Sequence, residues 1–495
     1  MYYYSTRSQH KATDVQAVLN GMAPDGGLYI EPEMEKRPFD WQACLQQSPL
    51  KMAEMVLSHM LPGFDNMGEL VEKAYEGKFS CPELTPLVKL GDDYVLELFH
   101  GPSCAFKDVA LSVLPRLITA ARKQEKIDDR ILILTATSGD TGKAALEGFH
   151  DVDGTGIIVF YPSGGVSEIQ KAQMQTQCGK NVKVCAVKGN FDDCQKGVKE
   201  AFAKINSESM FEGKGLRLSS ANSINIGRLA PQLVYYFSAY AALVKQGAIN
   251  AGDEVDFSVP TGNFGDIFAG YCAKLLGLPV GTLVCASNSN NVLTDFVRTG
   301  VYDRNRKLIK TVSPSMDILV SSNLERLLYY AADGDAEYVK SSMESLSMWG
   351  TFRTDLDILL NVQDSIEAYC CSEAETAETV RKVWDDYSYL CDPHTAVAWH
   401  AAQEYKAGSW EKKPMVVLST ASPFKFPRAV LSALGHDAEG SGFELMDTLS
   451  EVSGLSVPEA LSGLRDKEIL HSDVIEKDGI LDYVLSAAEK CGEIK

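Results

Sequence analysis

The chain has 495 residues, 45% hydrophobic and 23% charged, which is ordinary globular composition and enough length to bury more than one core. A formal net charge of −20 argues against nucleic acid, whose phosphates need clustered Lys and Arg, but leaves room for a small anion held by helix-start N–H groups and one or two focused cations. Nothing approaches the apolar length of a membrane span, Met1 to Asp14 lacks a signal-peptide pattern, and twelve dispersed cysteines without a Cys-x-x-Cys pair predict reduced thiols in the cytoplasm, with no disulfide framework and no structural metal site.

Residues 1–92 read as a helical N-terminal extension punctuated by turns such as Pro24-Asp-Gly-Gly27. From Tyr94 short β-rich runs alternate with helical stretches: Tyr94–Phe99, Arg130–Thr137, Gly156–Tyr161 and Asn181–Val187 are the strands of a smaller α/β domain over 93–245. Strands at Glu254–Pro260, Thr282–Ser287 and Pro414–Thr420 belong to a larger α/β domain over 246–430, interrupted by a mostly helical, acidic insertion near 290–410. A charged helical extension fills 431–495. Alternation of this kind predicts two doubly wound, mainly parallel sheets with helices on both faces.

Five polar loops fall at expected strand ends. His100-Gly-Pro-Ser-Cys-Ala-Phe-Lys-Asp108 sets Lys107 where a strand gives way to a helix, the place where ligand crevices of doubly wound sheets lie. A lysine there could be desolvated into an amine nucleophile, though taken alone the motif favours a solvated first-turn residue. Thr137-Ser-Gly-Asp-Thr-Gly-Lys143 could hold an anion at a helix start; it departs from a P-loop because Thr137 replaces the first glycine and Ala144 the final hydroxyl. Pro260-Thr-Gly-Asn-Phe-Gly-Asp266 could point several N–H groups at a phosphate, or simply connect strand to helix. Ser219 to Arg228 is dense in hydrogen-bonding side chains and ends in a guanidinium fork suited to phosphate, while Ser223 or Asn225 could equally be a helix cap. Leu418-Ser-Thr-Ala-Ser-Pro423 closes another strand end with hydroxyls.

Together these segments resemble the threonine synthases of the longer class, which belong to the fold-type II pyridoxal-phosphate enzymes. The likeness runs over nearly the whole chain and is most specific at Phe99-His-Gly-Pro-Ser-Cys-Ala-Phe-Lys-Asp108. It implies pyridoxal 5'-phosphate as a Schiff base on Lys107, with Gly262, Asn263, Phe264, Gly265 and Asp266 around the cofactor phosphate and Thr420 at the pyridine nitrogen. Asp140 falls where several relatives carry Asn facing the ring hydroxyl. Thr141, Asn222, Ser223 and Arg228 would hold the substrate phosphate, and His394, in Asp392-Pro-His-Thr395, would be a wall residue. Cys104 has no catalytic part. The implied reaction converts O-phospho-L-homoserine and water to L-threonine and phosphate, in a monomer or homodimer with no metal. The alternatives are a threonine or serine dehydratase of the same fold type, or a non-catalytic relative that binds phosphorylated metabolites.

Overall fold

The computed structural model describes residues 1–137 and 139–491. Strands β1 (Tyr2–Ser5), β2 (Lys11–Thr13) and β3 (Tyr29–Ile30) open the chain; β4 (Leu87–Leu90), β5 (Asp93–Glu97), β6 (Arg130–Ala136), β7 (Thr155–Pro162), β8 (Val182–Lys188) and β9 (Leu216–Ser219) follow. Then come β10 (Val255–Pro260), β11 (Val280–Ser287), the hairpin β12 (Val301–Asp303) and β13 (Thr351–Arg353), β14 (Ile366–Cys370), β15 (Met415–Ser419) and β16 (Asp473–Glu476). The seven strands expected from sequence all form, within two residues at either end.

Two large sheets result. One has the order β14-β11-β10-β15-β5-β4, parallel except at the β4 edge; the other, β16-β8-β7-β6-β9, is parallel throughout. Their central strands are buried along their whole length, as β7 and β10 are, because helices cover both faces. That is why these strands read as continuous apolar runs.

Pairing redraws the sequence-based boundaries. β5 pairs in parallel with β15, so the segment that carries Lys107 leaves the larger sheet before the chain enters the smaller one. The stretch taken as an insertion supplies β14 and the helix Pro393–Gly408, which packs on β10, β11 and β15. The N-terminal extension is not purely helical: β1, β2 and β3 form an antiparallel sheet whose Tyr3 is fully buried and donates to the Met60 carbonyl at 2.8 Å. Nor is the C-terminal one, because β16 extends the smaller sheet beside β8. The segment after the lysine motif forms two helices, Lys107–Leu111 and Leu114–Gln124, with Pro115 in the first turn of the second, where a missing N–H costs nothing. Among the described residues no helix is long and apolar enough to cross a membrane.

Candidate functional site

The turn that presents Lys107 is shaped by its neighbour. Asp108 is buried and accepts from Ser103 twice, N–H to Oδ2 at 2.9 Å and Oγ to Oδ1 at 2.6 Å, folding residues 103–108 into a loop. Gly101 lies against it so closely that a Cβ there would meet the Asp108 carboxylate at 2.5 Å, which accounts for glycine at that position. Three backbone bonds then zip the segment to the end of β15: Leu98 N–H to the Ser419 carbonyl (2.9 Å), Phe106 N–H to the Thr420 carbonyl (2.8 Å) and Ser422 N–H to the Cys104 carbonyl (3.1 Å). Thr420 is thereby fixed beside Lys107, buried, with its hydroxyl unbonded among the described residues.

Lys107 is half-buried, its Nζ 4.7 Å from the centroid of the Phe106 ring. Desolvation lowers its amine to about 8, with Asp140 and Asp266 opposing the shift and Arg228 and Lys425 adding to it. The neutral fraction of a depressed amine grows as pH rises through its pKa. Chemical modification of Lys107 in cofactor-free protein, followed by peptide mass spectrometry, is therefore expected to reach half its maximal rate near pH 8; an ordinary lysine would do so about two units higher. Cys104 is buried, and burial pushes its thiol up to about 12.

Asp140 opens the helix Asp140–Phe149 and is buried. Burial alone would raise its carboxyl, but Lys425 and Lys107 hold it far below the ordinary range. Its Oδ1 receives Lys425 Nζ at 2.6 Å and Gln170 Nε2 at 2.8 Å; Ser315 Oγ lies 3.4 Å from Oδ2. Lys425 is fully buried, donates also to the Ser103 carbonyl at 2.9 Å, and was not anticipated from sequence. One buried cation thus ties the Lys107 turn to Asp140. Thr141 follows in the first turn of the same helix, half-buried; Ser138 of this motif lies outside the described residues.

Across the pocket, Pro260 to Asp266 links β10 to the helix Gly265–Leu275. Phe264 takes a left-handed conformation (φ 65°), and among the described residues no backbone acceptor receives the N–H groups of Asn263, Phe264 or Gly265. Such unpartnered donors at a helix start form an anion cradle. Asp266 follows in the first turn of the helix and is buried. Its Oδ1 takes the hydroxyls of Tyr235 (2.5 Å) and Tyr236 (3.1 Å), Oδ2 has no partner, and burial raises the carboxyl to about 6.

The loop is held from outside by residues 311–323, part of the stretch read as an insertion. Ser321 Oγ donates to the Gly262 carbonyl (2.7 Å), and Asn323 donates to the Asn263 carbonyl from both its N–H (3.0 Å) and its Nδ2 (2.8 Å). His394 anchors this strap: its Nε2 accepts the Ser315 N–H at 3.2 Å while Nδ1 faces Asp392 Oδ1 at 2.7 Å, so the ring proton sits on Nδ1. His394 is thus a brace for the strap. A Cβ on Gly262 would lie 2.9 Å from the Ser315 carbonyl oxygen. If this loop holds the cofactor phosphate, as the resemblance implies, Gly262→Ala is expected to shift the loop and weaken cofactor binding by about 1 to 3 kcal/mol, read by cofactor titration.

The fourth loop closes the ring. Asn323 Nδ2 reaches Ser223 Oγ at 3.3 Å, and a Cβ on Gly265 would lie 3.7 Å from that of Ser223, so the 219–228 segment borders the anion cradle. Asn225 caps the helix Ile226–Lys245, accepting from Gly227 N–H at 2.8 Å; of the two cap candidates it is the one used. Asn222 and Ser223, in the same loop, are half-buried. Arg228 is buried, donates Nη1 to the Ala221 carbonyl at 2.6 Å, and leaves Nε without a partner; among the described residues no carboxylate lies within ion-pair distance. Burial lowers its guanidinium to about 10, which still leaves it a full cation at neutral pH. A buried, uncompensated guanidinium beside an amine and an empty set of N–H donors is arranged for an anionic ligand.

Comparison with known proteins gives the same picture. A profile described as "Pyridoxal-phosphate dependent enzyme" matches residues 81–421, "Threonine synthase N terminus" matches 2–75, and "Threonine synthase, C-terminal" matches 395–478. The human protein "Threonine synthase-like 1" is 39% identical over 437 residues, 85% of this chain but 58% of the relative, so the chain spans little more than half the length of that protein. "Threonine synthase" of Pseudomonas aeruginosa is 40% identical over 439 residues, 88% of this chain and 90% of that one. Among solved structures, the PLP-bound threonine synthase of Brucella melitensis superposes with a TM-score of 0.87 at 36% identity, covering 100% of both chains, and that of yeast with 0.87 at 33%, covering 100% and 99%.

Proposed function

Because this chain belongs to the threonine synthase family of pyridoxal-phosphate enzymes, we propose that it converts O-phospho-L-homoserine and water to L-threonine and phosphate. The residues fit the family's cofactor: a desolvated lysine amine for its aldehyde, three unpartnered N–H groups for its phosphate, and the free Thr420 hydroxyl for its ring nitrogen. Once bound, that cofactor supplies an electron sink for carbanions at the substrate's α and β carbons.

The chain's own residues do the rest. Lys107, as a neutral amine, removes and returns protons at Cα and Cβ. Asp140 is kept ionised by Lys425 and would serve the cofactor's ring hydroxyl as a fixed acceptor. Arg228, with Thr141, Asn222 and Ser223, holds the substrate phosphate, stabilises it as it leaves Cγ, and sets the register in which water adds at Cβ.

The observation that carries the substrate assignment is Arg228, buried without a carboxylate partner. A dehydratase of the same fold type, whose substrate ends in no anion, would leave that charge uncompensated. Arg228→Ala is expected to lower kcat/KM for the phosphorylated substrate by about 10²-fold or more, mainly through KM. The overall reading is tested by incubation with O-phosphohomoserine: threonine and phosphate should appear in equal amounts. A 2-oxo acid, or no phosphate, would refute it. The same proposal includes action in the cytoplasm, on a free small molecule, as a monomer or homodimer.

A further inference from the structure

One side-chain cluster outside the pocket has donor atoms that the fold leaves unused. Cys371 follows β14, Glu375 lies four residues on in the first turn of the helix Glu373–Tyr387, and His400 comes from the helix Pro393–Gly408 packed against it. One ligand atom from each lies within 4.8 Å of the other two. Glu375 spends Oε2 on the Ser372 N–H and Oγ, both at 2.7 Å, leaving Oε1 free. His400 makes no hydrogen bond through either ring nitrogen among the described residues, and its ring is half-buried. Among the described residues no Lys or Arg forms an ion pair with Glu375, whose bonds go to Ser372. The cysteine thiol makes two weak contacts, with the Ser372 carbonyl at 3.6 Å and Thr376 Oγ1 at 3.3 Å, either of which a metal bond would replace.

We propose that Cys371, Glu375 and His400 form a binding site for a zinc-type divalent cation. A sulfur, an imidazole nitrogen and a carboxylate oxygen are the mixed, borderline donor set that such ions select over magnesium or calcium. Bonds of about 2.0 to 2.3 Å need the three donors to close up modestly, and a half-exposed position leaves a fourth place for water. Binding releases the thiol proton to solvent, so the site gains a thiolate, a carboxylate and a neutral imidazole around a dication.

Its location gives the ion a consequence. Glu373, two residues from Cys371, accepts the Val312 N–H at 2.9 Å, and the helix that carries His400 carries His394, which accepts the Ser315 N–H. Both attachments hold the strap that braces the Gly262 loop. An ion joining the two helices therefore fixes the two anchors of the strap relative to each other, at a distance from the reacting groups.

The test is to titrate Co2+ alone into chelator-washed holoenzyme and follow d–d absorption at wavelengths longer than those the bound cofactor absorbs. The expected result is one equivalent per chain, displaced by Zn2+, with affinity at least about 10-fold weaker in Cys371→Ser and in His400→Gln and unchanged in Cys370→Ser. Circular dichroism in chelator identifies any variant that fails to fold, in which case Glu375→Gln takes its place. Absence of a saturable band in the unmodified protein overturns the proposal whatever the variants do, as does a band that survives loss of both the thiol and the imidazole. Amide exchange over residues 311–317 should slow when Zn2+ is bound; unchanged exchange there with full occupancy would overturn the link to the strap.

Discussion

Replacing Lys107 with alanine is expected to reduce threonine formation by at least about 10³-fold, with phosphate release falling in parallel. On the proposed function, the magnitude follows from removing both the anchor of the cofactor and the nearest base. Three neighbouring groups cannot substitute: Cys104 is protonated and buried, His394 is committed to Asp392 and Ser315, and Arg228 stays charged at working pH. The fold should tolerate the change, because the turn is held by Asp108, Ser103 and the three bonds to the end of β15 and not by the lysine side chain. Steady-state rates together with an unchanged circular dichroism spectrum check this. A variant that keeps more than a few per cent of activity would remove Lys107 from the chemistry.

The second large effect lies at Lys425. Lys425→Met leaves Asp140 as a buried carboxylate that keeps Gln170 but loses its 2.6 Å ion pair, and the expected cost is about 3 to 5 kcal/mol of stability. Because Lys425 and Lys107 hold the Asp140 carboxyl far below its ordinary value, the native state gains stability from its ionisation above the ordinary carboxylate range and loses it as pH falls through the depressed native value. In Lys425→Met much of that depression disappears. The gap between native protein and variant should therefore be widest at neutral pH and narrow as pH falls toward the carboxylate range. Asp140→Asn combined with Lys425→Met should recover most of the loss, since neither partner is then charged. Denaturant unfolding of the four proteins of that cycle measures the coupling.

How much of this could be read from sequence depends on what each feature needs. The buried parallel strands were legible because apolar runs such as Gly156–Tyr161 serve two covered faces, and the pocket loops were legible because they cap those strands. Short strands were not: β1, β2, β3 and β16 are two to four residues long and carry no periodic signal. Nor does sequence order reveal that β5 pairs with β15, more than three hundred residues later; that contact moves the lysine segment onto the larger sheet.

Among site residues, Lys107, Arg228 and the Gly262 loop stood out because glycine, hydroxyls and lone cations were concentrated there. Lys425 had a comparable signal, a lysine inside Pro423-Phe-Lys-Phe-Pro427, much as Lys107 follows Ala105-Phe106, and a cation in so apolar a setting is one that needs a buried partner. Ser315 and Asn323 gave none, since their role comes from lying across a loop far away in the chain.

The most direct test of the account is borohydride reduction of the purified holoenzyme followed by peptide mapping. A pyridoxyl group on the peptide that contains Lys107, and on no other, is the predicted result. A modified lysine elsewhere, or no modification in active protein, would contradict it.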